Sequence, residues 1–76
     1  MTPAQLRMAR NALRLGVRDL AELADVSFTT INRFETERGG INQGTADKLR
    51  AALESAGVEF IPENGGGPGV RLKKQT

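Results

Sequence analysis

The chain has 76 residues, a net charge of +2, and neither cysteine nor histidine. That length allows one small domain with one modest core, for which self-association is a common source of added stability. The missing residue types exclude a disulfide framework, thiolate or imidazole metal ligation, and catalysis by cysteine or histidine.

Thr2-Pro3-Ala4-Gln5 carries a complete helix start signal. Thr2 caps, Pro3 sits where its missing N–H is harmless, and Gln5 closes a capping box. Leu6, Ala9 and Leu13 mark the buried face of a first helix running to about residue 14, with Leu15-Gly16 as the break. A second helix is expected over Val17–Ala24, with Leu20, Leu23 and Ala24 as its apolar stripe. Ala21 either admits a close helix neighbour or is simply a good helix former. Asp25-Val26-Ser27 then breaks the period. Asp25 stands where a turn favours glycine, although aspartate tolerates left-handed backbone better than most residues.

Ser27 is the expected N-cap of a third helix, from Phe28 to about Thr36. Ile31 and Phe34 point it inward and leave a strip of Phe28, Thr29, Thr30, Asn32 and Arg33. Donors, acceptors, methyls and a guanidinium on one leading face suit the reading of base edges in a DNA major groove. The plainer alternatives are a solvated Arg33 and a core Phe28. The helix is expected to stop at Arg38-Gly39-Gly40, with glycine in the left-handed cap position.

Ile41 reads as core, and Asn42 or Thr45 caps a fourth helix through Ala56, with Leu49, Ala52, Leu53 and Ala56 inward. Gly57 ends that helix and puts Val58 where a Schellman turn makes its apolar contact with Leu53. The period then alternates: residues 58–61 and 70–73 read as two short strands around the glycine-rich loop 62–69. A lone ribbon is barely stable, so it must pack on the helices or pair with another chain, Phe60 being the obvious anchor. The expected fold class is mainly α, with four to five helices and a short C-terminal β-strand pair.

The stretch Val17–Thr36 resembles the helix-turn-helix of the Cro/repressor-like (XRE) family of bacterial and phage DNA-binding regulators. The resemblance is carried by Leu20, Ala21, Ala24, Val26, Ile31 and Phe34, with Glu35 following, and extends from Leu6 to Leu53. The tail G-V-E-F-I-P-E-N-G-G-G-P-G-V is similar to that of small members of the family. The resemblance implies a repressor-like helix-turn-helix DNA-binding domain over 1–57 (motif 17–36), followed by a hairpin tail over 58–76.

It further implies that Phe28, Thr29 and Arg33 face bases, with Thr30 and Asn32 at the margins. Ser27, Arg18, Arg38, Asn42 and Gln43 are expected at phosphates, which position a protein without specifying sequence. Arg10 and Glu35 are expected to form an exposed structural ion pair of small energy, about 0–1 kcal/mol. Two positions depart from the family. Val17 replaces the glutamine whose amide meets the DNA backbone, and Asp25 replaces the turn glycine and adds negative charge.

Basic residues mark both ends of the chain: Arg7, Arg10, Arg14 and Arg18 recur at spacings of three or four residues, and Arg71, Lys73 and Lys74 crowd the C-terminal side. They read either as solvated surface or as an electrostatic footprint for nucleic acid. The expected function is a homodimeric regulator, a repressor on a palindromic operator in double-stranded DNA, dimerising through Val58, Phe60, Val70 and Leu72. The alternative is an antitoxin or anti-activator that binds a protein partner, for which an exposed phenylalanine is a natural anchor. No enzyme, cofactor, metal or small-molecule ligand is expected. No apolar run reaches membrane-spanning length, and the first residues lack a signal-peptide core, so a cytoplasmic, nucleoid-associated location is expected.

Overall fold

Thr2, Gly16, Ser27 and Asn42 are the residues at which the chain enters its four helices, α1 (Pro3–Ala12), α2 (Val17–Ala24), α3 (Phe28–Glu35) and α4 (Gln43–Ser55). Two antiparallel strands follow, β1 (Val58–Ile61) and β2 (Gly69–Leu72). The structure, a computed structural model, describes residues 1–62 and 65–73; Glu63 and Asn64 of the expected loop and Lys74 of the basic end lie outside them.

Each helix start is closed by a side chain that pairs an otherwise orphaned amide. Gln5 N donates to Thr2 Oγ1 (3.1 Å) and Thr2 N donates back to Gln5 Oε1 (2.9 Å). Gly16 N donates to Asp19 Oδ2 (2.8 Å), which also sets a carboxylate at the positive end of the α2 dipole. Ser27 Oγ accepts from Thr30 N (3.1 Å), and Asn42 Oδ1 accepts from Thr45 N (2.7 Å). Asn42, not Thr45, is therefore the cap of α4.

The helix ends correct two expectations. α1 stops at Ala12 rather than near residue 14, and the left-handed residue after α3 is Glu37 (φ 59°) rather than Gly39 or Gly40. Three helices close by the same Schellman pattern around a charged residue. Leu15 N donates to Arg10 O (2.9 Å) past Arg14 (φ 57°). Val26 N donates to Ala21 O (3.1 Å) past Asp25 (φ 56°), and Arg38 N donates to Arg33 O (2.9 Å) past Glu37. These bonds pair carbonyls that would otherwise be left open, which offsets part of the left-handed strain. After α3 the closure is complete before the chain reaches its glycines.

Leu6 and Ala9, Leu20 and Ala24, Ile31 and Phe34, Leu49 and Leu53, Val58 and Phe60 form one core, drawn in pairs from α1, α2, α3, α4 and β1. Each fully buried large side chain among them contributes roughly 1.5–3 kcal/mol. Leu23 and Ala56, both expected inward, are exposed, Leu23 by 52%. The buried stripe of α2 is Val17, Leu20, Ala21 and Ala24, and at helical spacing Leu23 falls about 110° from its centre. Ala56 is the C-cap of α4, where the chain already turns away from the core.

The strand pair is part of this core. β1 and β2 pair Val58 with Leu72, Glu59 with Arg71, Phe60 with Val70 and Ile61 with Gly69, so β2 begins one residue earlier than the alternation suggests. Lys73 N donates to Gly57 O (2.7 Å) beyond the last pair. Gln5, 5% exposed, reaches across from α1: its Nε2 donates to Ile61 O (3.2 Å) and Gly69 O (3.1 Å). One amide thus closes a helix cap and clamps both strands. Val58 and Phe60, expected at a dimer contact, are instead buried against this protomer's own helices; Val70 is half-buried and Leu72 is 54% exposed.

Two stability measurements test this account. Glu37→Gly removes left-handed strain and is expected to stabilise by about 0.5–1 kcal/mol in urea denaturation, despite the greater freedom of glycine in the unfolded chain. Gln5→Glu keeps the acceptor for Thr2 N but sets a carboxylate against two carbonyls, and a loss of about 2–4 kcal/mol is expected in the same assay.

Candidate nucleic-acid interface

The orientation of α3 is set from behind. Glu35 is buried beside Ile31 and Phe34, where an unpaired carboxylate is prohibitive. Arg10 meets it with two parallel bonds, Nε to Oε2 (2.9 Å) and Nη2 to Oε1 (2.8 Å). The third nitrogen of Arg10, Nη1, donates to Leu15 O (3.0 Å), and Arg7 Nη1 donates to the backbone carbonyl of Glu35. With side chains 15% and 6% exposed, Glu35 is buried and Arg10 largely covered, which corrects the expectation of an exposed pair. The hydrogen bond to Glu35 raises the Arg10 pKa against the opposing desolvation, with Coulombic attraction adding to it, so the guanidinium stays charged.

The four arginines of the N-terminal repeat consequently do not share one solvated face. Arg7 and Arg10 bond to Glu35, Arg14 occupies the turn, and Arg18 lies over the Phe28 ring at 4.6 Å. Spacings of three and four follow a helix face only as far as α1 extends.

With Ile31, Phe34 and Glu35 inward, helical spacing turns Thr29, Asn32, Arg33 and Thr36 outward, and all four are exposed. Phe28 flanks this strip, 38% exposed, which answers the alternative that it is core. Thr30 flanks the other side, half-buried, with its Oγ1 accepting from Ser27 Oγ (2.8 Å). Thr36 is an outward residue missed in the sequence; its hydroxyl is occupied by Asn32 O (2.8 Å). Among the described residues no carboxylate pairs with Arg33.

The residues expected at phosphates are exposed but differ in what they have free. Arg18 lies over the Phe28 ring, joining the start of α2 to the start of α3. Such a cation–π contact contributes about 0.5–1 kcal/mol at an exposed site. Ser27 Oγ already donates to Thr30, so a phosphate takes that proton only by displacing it. Asn42 uses its oxygen as a cap and keeps its NH₂ for an acceptor. Gln43 Nε2 donates to Asp47 Oδ1 (2.8 Å), a contact that competes with any anion. Arg38 is exposed just beyond the Glu37 turn. Asp25 and Glu37 are exposed acids at the two ends of α3 and temper the positive field there.

Compared with known protein families, residues 6–60 match the helix-turn-helix family of the Cro/C1 (XRE) type, a family of DNA-binding regulators. No curated protein matches the chain.

Removing Glu35 leaves the Arg10 guanidinium buried without an anion. Glu35→Ala is expected to destabilise by about 3–5 kcal/mol in chemical denaturation, with Arg10→Met/Glu35→Leu recovering most of it. The folded fraction of the single variant, its α3 less firmly oriented, should bind DNA more weakly without preferring different bases; a clean switch of preferred bases would contradict this structural role.

Proposed function

The chain belongs to the Cro/C1-type helix-turn-helix family, and from that premise we propose that this DNA-binding regulator acts as a homodimeric repressor on a palindromic operator. The observation that carries the reading is the division of α3 into a locked inner face and a free outer one. Ile31, Phe34 and Glu35 hold the helix, while Thr29, Asn32 and Arg33 remain available to a ligand. In this reading α3 enters the major groove. Arg33 bonds to a guanine edge, a bidentate contact worth roughly 1–3 kcal/mol of discrimination. Phe28 and the Thr29 methyl meet thymine methyls, Asn32 meets an adenine or a backbone oxygen, and Thr30 stands at the margin.

Arg18, Arg38, Asn42, Gln43 and Ser27 take the phosphates on either side. Arg18, stacked on Phe28, supplies the backbone contact that Val17 cannot make. Two protomers on one face of the duplex set their α3 helices about 34–36 Å apart. The dimer contact then falls to the surface that β2 leaves open, Leu72 and the unpaired strand edge, because Val58 and Phe60 are enclosed.

A second reading, in which a protein partner is the main ligand, draws on the exposed Leu23 beside the shallow groove of Ala51, Ala52 and Ser55. Selection of bound duplexes from a random library, with the parent, Arg33→Ala and Arg18→Ala at two salt concentrations, separates the readings. Expected are a palindrome, one base preference lost in Arg33→Ala, and a log–log salt slope lower by about 0.9 per half-site in Arg18→Ala. Weak, salt-sensitive binding with no enriched motif favours the protein partner.

A further inference from the structure

We propose that Gly39 is a positioning residue for Arg33: a bare stretch of backbone that seats the arginine stem and thereby aims its guanidinium at one base. This rests on the reading of Arg33 as a base-contacting residue. The Schellman closure past Glu37 folds the chain back on α3, with Arg38 N bonded to Arg33 O at 2.9 Å. The next residue, Gly39, is thereby laid along the side chain six positions before it. A Cβ at Gly39 would stand 3.1 Å from Arg33 Nε, 3.2 Å from Cδ and 3.3 Å from Cγ. All three distances are tighter than ordinary van der Waals contact, so any side chain there displaces the stem by a few tenths of an ångström.

The neighbouring glycine shows that this is local. A Cβ at Gly40 meets nothing within 4 Å. Gly39 also does not serve an unusual backbone, since the positive-φ glycines among the described residues are Gly57, Gly65 and Gly67. What distinguishes position 39 is therefore its contact with Arg33. Among the described residues Arg33 has no carboxylate partner to fix its guanidinium, while its stem, from Cγ to Nε, lies against Gly39. A long cation with large rotamer entropy binds a base edge better when its stem is held in advance, and a bidentate contact tolerates only about 0.5 Å of misplacement.

The test is random-duplex selection and titration of the selected site with full-length Gly39→Ala, Gly40→Ala, Arg33→Ala and Arg33→Ala/Gly39→Ala. Gly39→Ala is expected to relax discrimination about three- to tenfold at the same single base position that Arg33→Ala relaxes. Gly40→Ala is expected to leave every position unchanged, and the double variant to match Arg33→Ala alone. Thermal unfolding of Gly39→Ala should match or exceed the parent, because alanine fits this backbone and lowers unfolded-state entropy, so misfolding does not account for the loss. If Arg33→Ala relaxes one position and Gly39→Ala leaves it intact, the positioning role is overturned while the Arg33 reading stands. If Arg33→Ala changes no position, or no motif is selected, the Arg33 reading fails and takes this inference with it.

Discussion

The fork of Arg10 on the buried carboxylate of Glu35 is the interaction on which the exposed face of α3 depends. Its net contribution to stability is small or even adverse against an apolar pair of equal volume, because both ions leave water. What it provides is direction. Two parallel bonds and a third to Leu15 O define the rotation of α3 about its axis, and Arg7 adds a bond at the backbone carbonyl of Glu35. An apolar contact of the same size would tolerate sliding and rotation. A bidentate guanidinium–carboxylate pair does not. Which residues of α3 face outward therefore follows from a contact on its opposite side.

α1 is the common support. Its Arg7 and Arg10 hold α3, and its first turn holds the strand pair through Gln5. The hairpin, marginal by itself, gains Val58 and Phe60 as buried anchors and an amide that takes one carbonyl from each strand. The tail is thus bound to the same core as the helices, and among its described residues the outer strand edge, Ile61 and Leu72 stay exposed. The surface ion pair Arg71–Glu59, at 2.7 Å but largely exposed, adds little to this.

Backbone economy shapes the other side of the molecule. The turns that border α2 and α3 place Arg14, Asp25 and Glu37 in left-handed conformation, each about 1–2 kcal/mol less favourable than glycine would be. Two of these residues are acids exposed at the ends of α3. The strain and the charge both sit beside the candidate interface, and the fused Schellman bonds are what keep those turns closed.

Much of this was legible in the sequence, because the signals that start helices and set their faces act within four residues. Thr2 and Ser27 as caps, Asn42 as one of two candidates for a third, Val17–Ala24 as a helix, the inward Ile31 and Phe34, and the strand pair after Gly57 are local consequences of side-chain chemistry and period. The helix ends were less legible, since bonds back to residues five positions earlier, not the presence of glycine, decided where they closed. Leu23 was misplaced because an eight-residue helix gives too few turns to centre its buried stripe.

The tertiary structure alone decided how like residues were divided. Four arginines at near-regular spacing went to a backbone carbonyl, a buried carboxylate, a turn and an aromatic ring, because Glu35 lies 25 residues from Arg10 and the helix beneath them ends at Ala12. Gln5 became a clamp through bonds 56 and 64 residues away, and Gly39 met Arg33 only once the Glu37 turn had folded the chain back. Periodicity and capping determine elements because they are properties of adjacent residues. The partner of a charge, and the use of an exposed face, depend on which elements the core brings together.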